Sequence, residues 1–200
     1  MTWTAGVTRA TGDLITAAIW NNYLGAAGSI METAAAKATA ANQIFVSSAA
    51  NTLAAKGIAR KYKGADEIVN NSITLQNDND LVFAIAANAT WLFWGIFIMR
   101  SGTVPDFKFT FTAPAGASGS WHCLALDDLA LNQIGDSKPF GTAVTDVAGQ
   151  SLASDVIISF GGVAVNGGTA GDIQLQWAQN VADVSDTKVL AYSFLLGLEV

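Results

Sequence analysis

The sequence predicts a mainly β protein: an antiparallel β-sandwich, jelly-roll-like, preceded by a short N-terminal helical docking segment. Three observations predict it. From about residue 65 onward apolar residues recur with a period near two, in short runs about ten residues apart bounded by Gly, Asn, Asp and Pro. No stretch beyond that point carries a helical repeat, whereas one does lie near the N-terminus. The charge also divides: residues 1–63 hold six Lys/Arg and two Asp/Glu, and residues 64–200 hold four and fourteen, so a net +4 is followed by −10. We therefore expect an attachment segment over 1–64 and a sandwich over 65–200.

The N-terminal element follows Thr11-Gly12-Asp13, which offers an N-cap. Ile15, Ile19 and Tyr23 then recur every four residues beside Trp20 and Leu24, and Gly25 and Gly28 can end the helix. A helix this short is marginal alone, so its apolar stripe has to dock on this chain, on a copy of it or on another protein. Trp3, Ile15, Ile19, Trp20, Tyr23 and Leu24 are the expected docking residues. An alanine-rich stretch over 34–41, the run Ile44-Phe45-Val46 and a Ser/Ala/Asn-rich segment over 47–55 have no decisive pattern. Lys56, Arg60, Lys61 and Lys63 cluster beyond them with only Tyr62 as an aromatic neighbour, and the isoelectric point is about 4.5. This reads as a solvated connector rather than a nucleic-acid interface.

The expected strands run over 73–76, 81–87, 91–99, 107–112, 121–126, 129–134, 142–147, 156–165, 173–177 and 189–198. Residues 81–99 approach the length of a membrane span. Aromatic and β-branched residues crowd 91–98, however, and Asn88-Ala89-Thr90 has the character of a turn, so two strands are expected and no membrane insertion. In 107–112 three Phe face one way while Lys and Thr face the other. Residues 91–99 do not alternate: Trp91, Phe93, Gly95, Phe97 and Met99 fall on one face, and Leu92, Trp94, Ile96 and Ile98 on the other. An outer strip of that kind is more apolar than monomers usually expose, so Leu92, Trp94, Ile96 and Ile98 are the expected oligomer interface, with the apolar run 189–196 beside them.

Composition restricts the chemistry. The chain has 200 residues, and a chain of that size buries roughly 70% of its unfolded surface without disulfides. One cysteine, Cys123, excludes a disulfide scaffold and a four-Cys zinc site within the chain. Only 13% of residues are charged, about half the usual share, so the surface must be covered by neutral polar side chains or by other protein. No positively charged start followed by an apolar run marks Met1 to Asp13 as a signal peptide. The single histidine, His122, adjoins Cys123, and adjacent strand residues point to opposite faces, which argues against a Cys-His pair. Gly161-Gly162 and Gly167-Gly168 read as bulges or turns. The acidic clusters Asp127-Asp128, Asp78 with Asp80, and Asp183 with Asp186 read as turns rather than glycosidase pairs. Asn77 to Asp80 offers oxygen ligands to Ca²⁺ but lacks the Gly and distal Glu of an EF-hand loop, so no metal or other cofactor is expected. Trp177, with Gln179 and Asn180, is the one place where a sugar ring could stack.

Some phrases carry a resemblance. Trp3-Thr4-Ala5-Gly6-Val7-Thr8 followed by residues 14–24 resembles the opening of many small phage and prophage virion proteins. Residues 38–54 are similar to a phrase of phage tail-fibre and related surface proteins, although here it runs into the basic cluster rather than a Gly-rich element. Residues 106–109 with 112–117, and 171–180, resemble phrases from the β-rich outer domains of such proteins. The resemblance implies a structural, non-enzymatic component of a tailed-bacteriophage virion, assembled in the bacterial host cytoplasm. It would be homotrimeric, anchored to other virion proteins by its N-terminal segment, and would display the sandwich as a tail fibre or tip, or as a head fibre or capsid decoration. A host-surface glycan is a further expected partner. The alternatives are a stand-alone glycan-binding module and, more remotely, a glycosidase.

Overall fold

The computed structural model describes residues 42–49, 52–126, 133–147, 149 and 153–200. The expected N-terminal helix and its docking residues Trp3, Ile15, Ile19, Trp20, Tyr23 and Leu24 lie outside the described residues, as do Asp127 and Asp128. The chain divides into two compact units, Met1–Ile58 and Ala59–Val200. β1 (Gln43–Ala49) pairs antiparallel with β2 (Thr52–Tyr62), whose last four residues belong to the second unit, with Gln43 opposite Gly57 and a register shift between Ser47 and Ala49.

The second unit is built from β3 (Glu67–Val69), β4 (Gln76–Ile85), β5 (Thr90–Arg100), β6 (Phe107–Thr112), β7 (Ser118–Leu126), β8 (Gln133–Lys138), β9 (Val144–Val147), β10 (Val156–Val165), β11 (Gly171–Gln179), β12 (Thr187–Val189) and β13 (Phe194–Glu199). One sheet runs β13-β5-β10-β7-β8, and the other runs β4-β11-β6-β9. The strand pairings within both sheets are antiparallel. Between β4 and β11 the chain passes from one sheet to the other at almost every connection, so each sheet interleaves early and late strands. That order is the double Greek key of a jelly roll. Beyond it, β12 and β13 share one edge of β5, with β12 against Met99 and Arg100 and β13 against Trp91 to Ile96.

The two sheets meet through aromatic rings. Phe97 of β5 packs on Phe107 and Phe109 of β6, with centroids 5.6 and 4.8 Å away, and Phe111 lies 4.7 Å from Phe160 of β10. Phe107, Phe109 and Phe111 of β6 point into the core as expected and are fully buried, but Thr110 on the opposite face is buried as well, its hydroxyl donating to the Thr142 carbonyl at 3.0 Å. Residues 81–99 form two strands about a turn where Asn88 adopts φ 59°, a left-handed conformation that asparagine tolerates. Among the described residues no helix is long and apolar enough to cross a membrane.

Four expectations are corrected. Gly161 and Gly162 lie inside β10, not in a turn, because a Cβ on Gly162 would come within 2.5 Å of the Phe93 ring. The run 189–198 breaks in two: Tyr192 adopts φ 69°, and the Ser193 hydroxyl replaces a ladder carbonyl by accepting the Ile98 amide at 2.9 Å. Residues 77–80 belong to strand β4 rather than a hairpin turn. Lys63, expected in a solvated connector, is buried, while Arg60, Lys61 and Tyr62 are exposed.

Candidate assembly surface

Strand β5 presents two apolar faces. Trp91, Phe93, Gly95, Phe97 and Met99 point into the core and are buried, while Leu92 and Trp94 on the outer face remain 41% and 44% exposed and Ile96 and Ile98 are half-buried. Antiparallel pairing aligns this strip with its neighbours. Leu196, Trp94, Gly161 and His122 form one cross-strand row, and Phe194, Ile96, Ser159 and Leu124 form the next. Leu198, Leu92, Val163 and Ser120 lie on one side of those rows and Ile98 with Ile157 on the other. The C-terminal apolar run does sit beside the strip, as expected. Ile157 and Leu124, exposed at 62% and 45%, extend the apolar face across the sheet.

The face has relief as well as hydrophobicity. At Gly161 no side chain fills the row between Trp94 and His122. A Cβ there would stand 2.9 Å from His122 Cε1, so the imidazole leans over the bare backbone. The face thus sets the Trp94 indole beside a stretch of backbone roofed by the His122 imidazole. Charge appears at its end, where Arg100 donates to Asp155 at 2.6 Å. Charge-poor centres with polar rims are the usual anatomy of protein interfaces. The sequence pointed to Leu92, Trp94, Ile96 and Ile98 through the missing alternation of β5. Phe194 and Leu196 belong to the run expected beside it, whereas Ile157 and Leu124 were missed as partners because strand order, which brings them alongside, is not legible in a single sequence.

The other expected sites come out differently. Trp177 is fully buried, with its indole nitrogen donating to Asp78 at 3.2 Å, so it has no ring face for a sugar. Gln179 is also fully buried: its amide donates to the Ser185 carbonyl at 2.8 Å, and its oxygen accepts from the Ser72 and Asp183 amides. Asn180 is half-buried, and its backbone N–H donates to the Pro105 carbonyl. His122 is exposed and Cys123 buried, on opposite faces of β7. Asp183 is engaged by Ser185, whose hydroxyl and amide hold its carboxyl below the ordinary value, and Asp186 is held low by Asn70 and Lys188.

Asp78 and Asp80 meet a lysine. Lys63 Nζ lies 2.6 Å from Glu67, 2.9 Å from Asp78 Oδ2 and 3.5 Å from Asp80, so an ammonium stands where the oxygen ligands of residues 77–80 could have met Ca²⁺. Burial alone would depress this lysine, but hydrogen bonds and attraction from Glu67 and Asp78 outweigh it and hold the ammonium above the usual range. Among the described residues no group of three or more His, Cys, Asp or Glu has the placement of a metal site.

No protein-family model matches the sequence, and no curated protein matches it. Among solved structures the chain is similar to the infectious bursal disease virus Gt strain, at 9% identity and a TM-score of 0.19 over 77% of this chain and 44% of that one. It is likewise similar to the VP2 subviral particle of that virus, at 7% identity and a TM-score of 0.18 over 77% and 44% of the two chains. T=1 particles derived from infectious bursal virus match at 9% identity and a TM-score of 0.21 over 77% and 43%. The chain thus spans less than half the length of these structures, and the superpositions are too loose to transfer a role.

Proposed function

We propose that the chain is a structural component of a tailed-bacteriophage virion. In this reading it is a homotrimer, anchored to other virion proteins by its N-terminal segment and displaying the sandwich on the particle surface, as a tail fibre or tip or as a head fibre or capsid decoration. The observation that carries the reading is the outer face of β5, where Leu92, Trp94, Ile96 and Ile98 continue into Ile157, Leu124, Phe194 and Leu196. A freely diffusing monomer has no use for such a face, whereas a particle-bound subunit buries it against its copies. The jelly-roll strand order, the low content of charge and the phage-like phrases of the sequence support the same reading. In an assembly each copy would set its Trp94 indole against apolar surface of a neighbour, and loss of exposed apolar area would drive association.

The test is the protein content of purified particles. Phage particles from cells carrying this gene, banded by density and analysed by mass spectrometry, should contain the chain at a fixed ratio to the other virion proteins. Finding it only in the soluble fraction would overturn the proposal.

A further inference from the structure

The buried cluster around Lys63 is built for chemistry that the proposed role does not use. Lys63 is 1% exposed and Asp78 is equally enclosed, and Lys63 Nζ stands 3.0 Å from Asp78 Oδ1 and 2.9 Å from Oδ2. An atom so nearly equidistant from both carboxylate oxygens lies within about 3.3 Å of Cγ, the separation of reacting atoms poised for attack, and has only to rise out of the carboxylate plane to meet that carbon. The third member is Glu67, whose Oε2 accepts from Lys63 Nζ at 2.6 Å and from the Asn79 amide at 3.1 Å. The carboxyl of Asp78 is itself held by donors. Its Oδ1 accepts the Asp80 and Leu81 amides at 3.0 and 2.8 Å, and its Oδ2 accepts the Trp177 indole.

We propose that Lys63 and Asp78 condense to an intramolecular isopeptide bond, with Glu67 as the proton carrier. Glu67 relays a proton from the Lys63 ammonium to Oδ2 of Asp78, and the freed amine pair attacks Cγ of the resulting neutral carboxyl group to form the C–N bond. The amides of Asp80 and Leu81 hold the negative charge on Oδ1 as the tetrahedral centre forms. Glu67 then carries a second proton from nitrogen to the Oδ2 hydroxyl, the Cγ–Oδ2 bond breaks, and Oδ2 leaves with both protons as water. Ammonium plus carboxylate thus give a neutral amide plus one water, and Glu67 ends ionised as it began. No oxidant or other reactant is needed.

Two features favour the product over the ion pair. Fixed proximity within a fold raises the effective concentration of the amine far above any reachable in solution. Condensation also removes two opposite charges from a buried site, and with them the desolvation burden of a buried pair. Asp80, at 3.5 Å from Nζ and with its side chain 43% exposed, marks the side through which the water leaves.

The experiment is peptide mapping of the full, folded chain by mass spectrometry after denaturation. The expected result is a tryptic peptide from Tyr62 to Arg100, uncut after Lys63 and lighter than its sequence by one water. A peptide ending at Lys63, with residues 64–100 at their full mass, overturns the proposal. Lys63→Arg and Asp78→Ala should each abolish the water loss, and a loss that persists in either places the chemistry elsewhere and overturns the pairing. Either variant can unfold, so Glu67→Gln supplies the second reading. With its circular dichroism unchanged, it should leave most of the peptide uncondensed, whereas complete condensation would remove Glu67 from the mechanism.

Discussion

Strand β5 supports a paired perturbation, because residues three positions apart on it face opposite environments. Phe97 is fully buried and packs against Phe107, Phe109 and Phe160 at centroid distances of 5.6, 4.8 and 6.0 Å. Phe97→Ala removes these ring contacts and opens a cavity between the sheets, at a cost of about 3–5 kcal/mol. For a chain of this size, roughly 2–4 °C are lost per kcal/mol, so the melting temperature should fall by about 6–20 °C. Trp94 is 44% exposed on the outer face, and Trp94→Ser should cost the single subunit on the order of 0.5–1 kcal/mol, or a few degrees at most. Thermal unfolding followed by far-ultraviolet circular dichroism at several dilutions separates the two, since any contribution of assembly depends on concentration. Equal losses in both variants at high dilution would mean that the outer face is covered within the subunit. The two-faced account of β5 would then be wrong.

Other substitutions probe the remaining contacts. Gly162→Ala would put a methyl 2.5 Å from the Phe93 ring and 2.8 Å from the Ser120 carbonyl, and should destabilise by about 1–3 kcal/mol in chemical denaturation; an unchanged midpoint would refute that packing. Asp183 and Asp186 titrate below the ordinary carboxylate value in the folded chain, so they stabilise above that value and lose this contribution as pH falls through their folded values. Replacing both by Ser should therefore lower stability near neutrality, leave it unchanged at a pH below their folded values and so flatten the acid limb measured by denaturation across pH; an acid limb as steep as that of the unsubstituted chain would refute this. Asp106, at φ 46°, accepts the Gly149 amide at 2.9 Å. Asp106→Asn should keep both features, whereas Asp106→Val should lower stability by about 1–3 kcal/mol by straining the backbone and leaving the amide unsatisfied.

How much of this was legible depended on whether the signal was local. The inward Phe stripe of 107–112 and the double apolar face over 91–99 are properties of single strands, and both are found where the sequence puts them. The Asn88 turn that splits 81–99 rests on a residue's own backbone preference, which also reads locally. Gly161 and Gly162 misled because their lack of side chains serves partners distant in sequence, the Phe93 ring and the His122 imidazole. The same holds for Trp177, whose aromatic face promised a sugar platform until β4 brought Asp78 against its indole. Lys63 gave no local sign at all. It joins residues 4 and 15 positions away, and a basic cluster beside it disguised a buried cation as a solvated one.

Whether the outer face of β5 is an assembly surface is tested most directly by the native mass of the purified full chain, measured by light scattering. The prediction is a mass near three times 20.7 kDa that falls to a single chain in the Leu92→Ser, Trp94→Ser double variant while its circular dichroism is retained. A wild-type chain that stays at 20.7 kDa across the accessible concentrations would contradict it.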